Sequence, residues 1–247
     1  MADTTTAAPS APPAGAAGTD RVFDLRRTTL RELNRFLHGT EGLGQPVHVI
    51  HPDGAHHIAA GLHAPWHVEV HGHTGYYCAG MNMHADITVH GNAGPGVAEN
   101  MMSGRVHVKG FASVSAGASG HGGLLVIDQD ASLRCGISMK GVDIVVGGSV
   151  GSFSAFMAQA GRLVVCGDAG EALGDSLYEA VIYVRGAIRS LGADARLEPM
   201  TEADVAAVAA LLKAAGAPHD RHDPRTFKRV ASARQLYHWN ADANQEY

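Results

Sequence analysis

The chain has 247 residues, with 19 Lys and Arg against 24 Asp and Glu, a formal net charge of −5 and 31 glycines. This slightly acidic balance excludes the basic footprint of a nucleic-acid or anionic-membrane binder. No run of about 18 apolar residues exists to cross a membrane as a helix.

Residues 1–20 are Ala, Pro, Thr, Ser and Gly with almost no large side chain. Such a segment cannot bury enough surface to order, and a disordered tail is expected. It lacks the basic start, apolar middle and cleavage site of a secretory signal, so a cytoplasmic protein is expected. Residues 21–44 form an N-terminal capping segment. Within it, Thr29 to His38 is predicted as a helix: Thr29 and Glu32 have capping-box spacing, and Leu30, Leu33 and Leu37 share a face. The helix is placed to shield the exposed first strand edge of the repeat region.

From 45 to 197 the chain counts in nineteens. Val68, Ile87, Val106, Leu125, Ile144, Leu163 and Ile182 form one column, and Val70, Val89, Val108, Ile127, Val146, Val165 and Val184 another. Val49, one period before Val68, marks a degraded eighth coil. A fixed period of about 20 residues with one strand motif per repeat predicts an all-β fold, a single-stranded parallel β-helix of about 7–8 coils with short flanking helices. Successive strand residues point to opposite faces, so these two columns line the interior.

A glycine column succeeds each strand: Gly72, Gly91, Gly110, Gly148, Gly167 and Gly186, with Gln129 as the exception. These read as structural corners that need positive φ. Further on stand Ala79, Ala98, Gly117, Gly136, Ala155, Gly174 and Ala193, with Ala60 one coil earlier, read as a place of close backbone approach. The pairs Gly72/Gly75, Gly91/Gly94, Gly148/Gly151 and Gly167/Gly170 are corners and not phosphate cradles, because another strand and no helix comes after each.

The outward column runs Glu69, Thr88, His107, Val126, Val145, Val164, Tyr183 and turns apolar at Val126. An apolar outer strip requires a cover, from the chain's own C-terminal helix or from another subunit. Thr201 to Ala215 is that helix, within a segment 198–216, N-capped by Thr201 and ended by Gly216, with Val205, Val208, Leu211 and Leu212 on one face. Residues 217–247 combine Arg and Lys with aromatics and read as an extended tail for docking a partner. The candidate subunit interface is therefore Val126, Val145, Val164 and Tyr183 with Tyr237 and Trp239 of the tail. On that reading, Val145→Asp weakens assembly and leaves the chain folded.

Cys78 and Cys135 share a column three coils apart, about 14 Å, too far for a disulfide. Three free thiols fit a reducing compartment. His71 and His90 stack one coil apart with His107 nearby, and imidazoles at strand spacing can converge on a metal. Without a motif such as His-Glu-x-x-His, an ordinary polar surface is the simpler reading, and no metal site is assigned. Gly147-x-Ser149-x-Gly151 resembles a nucleophile elbow, but no helix comes after it, so Ser149 is a corner residue. Asp168, Glu171, Asp175 and Glu179 form an acidic patch. Paired carboxylates on β-helices can cleave glycosides, yet seven coils without insertion leave few loops to build a cleft.

The pattern Gly-x-x-Gly-x-x-x-Ala/Gly, as in Gly91–Gly94–Ala98, Gly148–Gly151–Ala155 and Gly167–Gly170–Gly174, resembles the GXGXG domain at the C-terminus of the large subunit of glutamate synthase. Roughly residues 45–195 carry the resemblance, which implies a right-handed coil. The flanks Arg27–Asn34 and Phe227–His238 look like those of a free-standing form, closest to the β-helix subunit of N-methylglutamate synthase (methylamine–glutamate N-methyltransferase). A related subunit occurs in formylmethanofuran dehydrogenase, and a stand-alone carbohydrate-active β-helix is the other alternative. The resemblance implies a non-catalytic scaffold between a glutamine-amidotransferase-like subunit and an FMN-binding subunit, which carries the flavin and can also carry iron–sulfur. The complex would make N-methylglutamate and ammonia from methylamine and glutamate. No catalytic or cofactor-binding residue transfers to this chain. The family's amidotransferase nucleophile is an N-terminal cysteine on a neighbour, whereas this chain begins Met-Ala-Asp.

Overall fold

The interior columns are apolar at every turn because they stack on one another. In a computed structural model, which describes residues 20–233, both sets from Val68 to Val184 are completely buried. They lie on strands β3 (His67–His71), β4 (Asp86–Val89), β5 (Arg105–Val108), β6 (Leu124–Ile127), β7 (Lys140–Val146), β8 (Ala160–Val165) and β9 (Val181–Val184). Each strand pairs in parallel with the next in nineteen-residue register, Val68 with Ile87 and so on to Leu163 with Ile182. A second ladder of single bridges runs from Thr74 through Ala93, Ala112, Ala131, Val150 and Ala169 to Ile188, and closes the coil. The fold is the expected parallel β-solenoid.

Two more strands precede it, β1 (Arg21–Asp24) and β2 (Val47–Ile50), both parallel. Here the register differs from expectation. Val49 pairs with Val70 and Val47 with Val68, twenty-one residues apart and not nineteen. A shift of two keeps the same face inward, so Val-x-Val satisfies either register and the period alone could not choose.

Helix α1 (Leu30–Leu37) begins with a complete capping box between Thr29 and Glu32 and buries Leu33 and Leu37. It substitutes for a missing coil. Elsewhere the N–H of the turn's buried residue donates to the preceding coil, as Ala98 does to Cys78 and Ala79 to Ile58. At the first turn no such coil exists, and the Ala59 N–H donates to Asn34 Oδ1 instead. Asn34 Nδ2 in turn donates to the His57 carbonyl, and His38 Nε2 lies 2.9 Å from the Ala60 carbonyl.

The two glycine-rich columns exchange the roles expected of them. Ala59, Ala79, Ala98, Gly117, Gly136, Ala155 and Gly174 all have positive φ, between 53° and 68°. This column is the left-handed corner, and its member before Ala79 is Ala59, not Ala60. Of the glycines read as corners, only Gly72 has positive φ. Gly91, Gly167 and Gly186 are needed for space: a Cβ on Gly91 would lie 2.5 Å from the Gly72 carbonyl oxygen, and one on Gly167 2.6 Å from the Gly148 carbonyl carbon. Stacked coils simply leave no room there for a side chain.

Helix α2 (Glu202–Ala215) has a second capping box, between Thr201 and Asp204. After two short 3-10 turns (His219–Arg221 and Pro224–Thr226), strand β11 (Lys228–Ser232) runs antiparallel between β9 and β10 (Ala195–Glu198). Residues 217–233 are thus part of the body and not an extended tail. Val230 enters the core, while Arg229 faces outward and bonds Asp204 and Glu198, so alternation hides an apolar inward face in a charged sequence. Among the described residues no helix is long and apolar enough to cross a membrane.

Candidate functional site

The expected interface strip is covered by the chain itself. Val126, Val145 and Val164 are fully buried and Tyr183 nearly so, packed with Val208, Leu211, Leu212, Ala215 and Phe227. The apolar strip and the apolar helix face satisfy each other, so the strip offers no open docking surface. Tyr237 and Trp239 lie outside the described residues, as do residues 1–19 of the expected tail. Polar contacts fix the cover in place. The Tyr183 hydroxyl donates to Asp204 Oδ1 at 2.7 Å, and burial with that neighbouring carboxylate raises the Tyr183 pKa. Burial opposes ionisation of Asp204, but the bonds from Thr201 and Tyr183 outweigh it and hold the carboxyl at about 2. At the other end Arg105 donates to the carbonyls of Ala214 and Ala215, which neutralises the negative end of the helix.

Asp128 is a hub. His107 Nε2 lies 2.7 Å and His219 Nε2 2.9 Å from its Oδ1, and Lys109 lies 3.6 Å from its Oδ2. Burial would raise its pKa, but the two imidazole bonds win and lower it strongly. His219 is almost wholly buried, and a Cβ on Gly147 would collide with its ring. Gly147 is therefore the socket for His219, a role the Gly-x-Ser-x-Gly reading did not contain.

The histidine stack is real and larger than the pair expected. His71 and His90 are parallel at 4.9 Å, and His48 stacks on His71 at 5.2 Å. His48 Nδ1 and His71 Nε2 are 2.9 Å apart. His107 bonds Asp128 instead. Asp20 contacts His48, and Glu69 bonds both His67 and His90. Among the described residues no group of three or more His, Cys, Asp or Glu is arranged to hold a metal ion. One nitrogen of the His48–His71 pair must remain an acceptor, so the pair cannot be doubly protonated in this geometry. Burial, then the neighbouring His90 and His48, lower the His71 pKa. A depressed imidazole contributes stability above its unfolded value, about 6.5, and loses it as pH falls through the window below. Thermal melts are therefore expected to shift downward between about pH 7.5 and pH 5.5, with a smaller shift in His71→Asn. An equal shift in that variant would place the effect elsewhere.

The remaining candidates are structural. One column of side-chain acceptors links coil to coil, interrupted where Phe111 stands in it. His73 accepts from the Asn92 N–H, Asn92 from Phe111, Asp130 from Ser149, Ser149 Oγ from Asp168, and Asp168 from Ala187. Ser149 and Asp168 thus belong to one ladder. Asp175 accepts from the Ala193 N–H and the Ser176 hydroxyl, and Glu171 pairs with Arg189 at 3.0 Å. Cys78, Cys135 and Cys166 are free and buried. Burial pushes the first two thiols up to about 12 and the third to about 11, so none is a ready nucleophile.

Along this column the polar side chains are spent on coil-to-coil bonding. The chain is similar to Protein GlxC of Rhizobium meliloti (strain 1021). The two are 54% identical over 98 residues, which is 40% of this chain and 42% of that protein. The similarity therefore spans less than half of either. No family model matches the chain.

Proposed function

We propose that this chain is a non-catalytic scaffold subunit of a glutamate-synthase-like enzyme, of the N-methylglutamate synthase type. It would hold an amidotransferase-like subunit and an FMN-binding subunit in register, so that a reactive nitrogen species passes between them without escape. The observation that carries the non-catalytic part is the acceptor ladder: Asn92, Asp130, Ser149 and Asp168 spend their side chains on the backbone of the next coil. The repeat's resemblance to the GXGXG domain supports the enzyme class, and the similarity to Protein GlxC is compatible with it.

Co-expression with the two candidate partner subunits tests this reading. A yellow, FMN-containing complex is expected to co-purify with the chain and to form N-methylglutamate from methylamine and glutamate. Omitting the chain is expected to abolish both assembly and turnover. Turnover by the isolated chain, or a fully active complex lacking it, would overturn the proposal.

A further inference from the structure

The left-handed turns form an apolar edge remote from the face that α2 covers. Each turn has positive φ at alternate residues, for example Tyr77, Ala79 and Met81 after β3, and Phe153, Ala155 and Met157 after β7. The middle residue points inward and is buried, while its neighbours are pushed out. The exposed large apolar side chains concentrate in these columns and the two beside them. Tyr76, Tyr77, Met81, Met83 and Met102 cluster after β3 and β4, and Leu133, Phe153, Met157 and Tyr178 after β6, β7 and β8. Each is between 40% and 56% exposed. If a large side chain can bury roughly 200 Å², together they present about 800 Å², matching the ~800 Å² per partner of a standard interface.

Between the clusters, the turn after β5 is polar, with Ser115, Ser119 and His121. The stripe therefore has two apolar ends and a polar centre, and a two-fold axis through that centre makes it self-complementary. We propose that this edge is where a second copy of the chain docks, antiparallel, with the turn after β3 against the turn after β7. Tyr77 then meets Phe153 and Met81 meets Met157, twice over. The charges agree with this pairing. Arg134 and Lys140 in the turn after β6 face Glu99 in the turn after β4. A parallel two-fold arrangement would instead set Arg134 and Lys140 against themselves, which like-charge repulsion disfavours.

Sedimentation of the purified full chain at micromolar concentration tests the proposal, since it needs no other subunit and is independent of the scaffold reading. The expected mass is twice the 25.7 kDa of the chain. Tyr77→Glu and Phe153→Lys, each alone, are expected to sediment as monomers with unchanged circular dichroism. Mixed, they are expected to regain the dimer, because the new carboxylate and ammonium meet across the antiparallel contact. Met81→Glu with Met157→Lys repeats the test should the first pair fold poorly. A monomeric wild-type chain, dimers in both single variants, or no recovery on mixing would each overturn the proposal.

Discussion

Val145→Asp is expected to destabilise the chain by about 4 kcal/mol, the cost of an unpaired buried charge. Val145 lies on the sheet between Val126 and Val164, fully buried beneath α2. The polar contacts around the strip are already committed, Tyr183 to Asp204 and Arg105 to the end of the helix. A new carboxylate therefore finds no donor and must drag water under the helix or remain protonated. The interior residues Ile144 and Val146 point the other way, so the damage begins at the cover. Hydrogen exchange is expected to accelerate first across residues 202–215, ahead of the strands. A variant with wild-type stability and exchange but impaired assembly would mean that the strip meets a partner and not α2.

The glycine and alanine columns make a sharper pair of tests. Gly91→Ala is expected to cost about 3 kcal/mol, at the upper end of the overpacking range. Its Cβ would meet the carbonyl carbon and oxygen of Gly72, which are rigid backbone and cannot rotate away. Ala98→Gly should stay within about 1 kcal/mol of wild type. There, relief of left-handed strain at φ 57° offsets the lost methyl burial and the added freedom of the unfolded chain. Chemical denaturation of both variants separates the roles. If Gly91→Ala were tolerated and Ala98→Gly severely destabilising, the assignment of the two columns would be reversed.

The solenoid was legible because one column of seven aliphatic residues, repeated two positions on, admits hardly any other arrangement. The roles of the small residues were not. Glycine serves both positive φ and close approach, and composition cannot distinguish them; alanine in left-handed geometry at Ala98 and Ala155 runs against propensity. The early register was ambiguous by two residues, which also concealed His48 from the stack that His71 and His90 announced through their nineteen-residue spacing. Helix α2 was visible as an amphipathic segment, but its seat was not. Contacts such as Arg105 with Ala214, or His219 with Asp128, join residues too distant in sequence for any period to relate. Strand β11 was missed because Lys228 and Arg229 precede its inward Val230, and a charged start to a strand reads as tail.

The nineteen-residue register that the interior columns keep from β3 to β9 has a consequence for the protein's length. Each end is finished by its own device, Asn34 and His38 at one and the reversed β11 at the other, and neither device touches β4. Residues 86–104 are therefore a removable cassette for the core: Arg105 could succeed Ala85 in the same phase, and the interior strand columns would still close on aliphatic neighbours, Val68 on Val106 and Val70 on Val108. The reach of such a molecule can be lengthened or shortened in whole steps of about 4.8 Å by duplication or loss of one module, so the separation between whatever it holds is a quantity that can change without redesign of the fold.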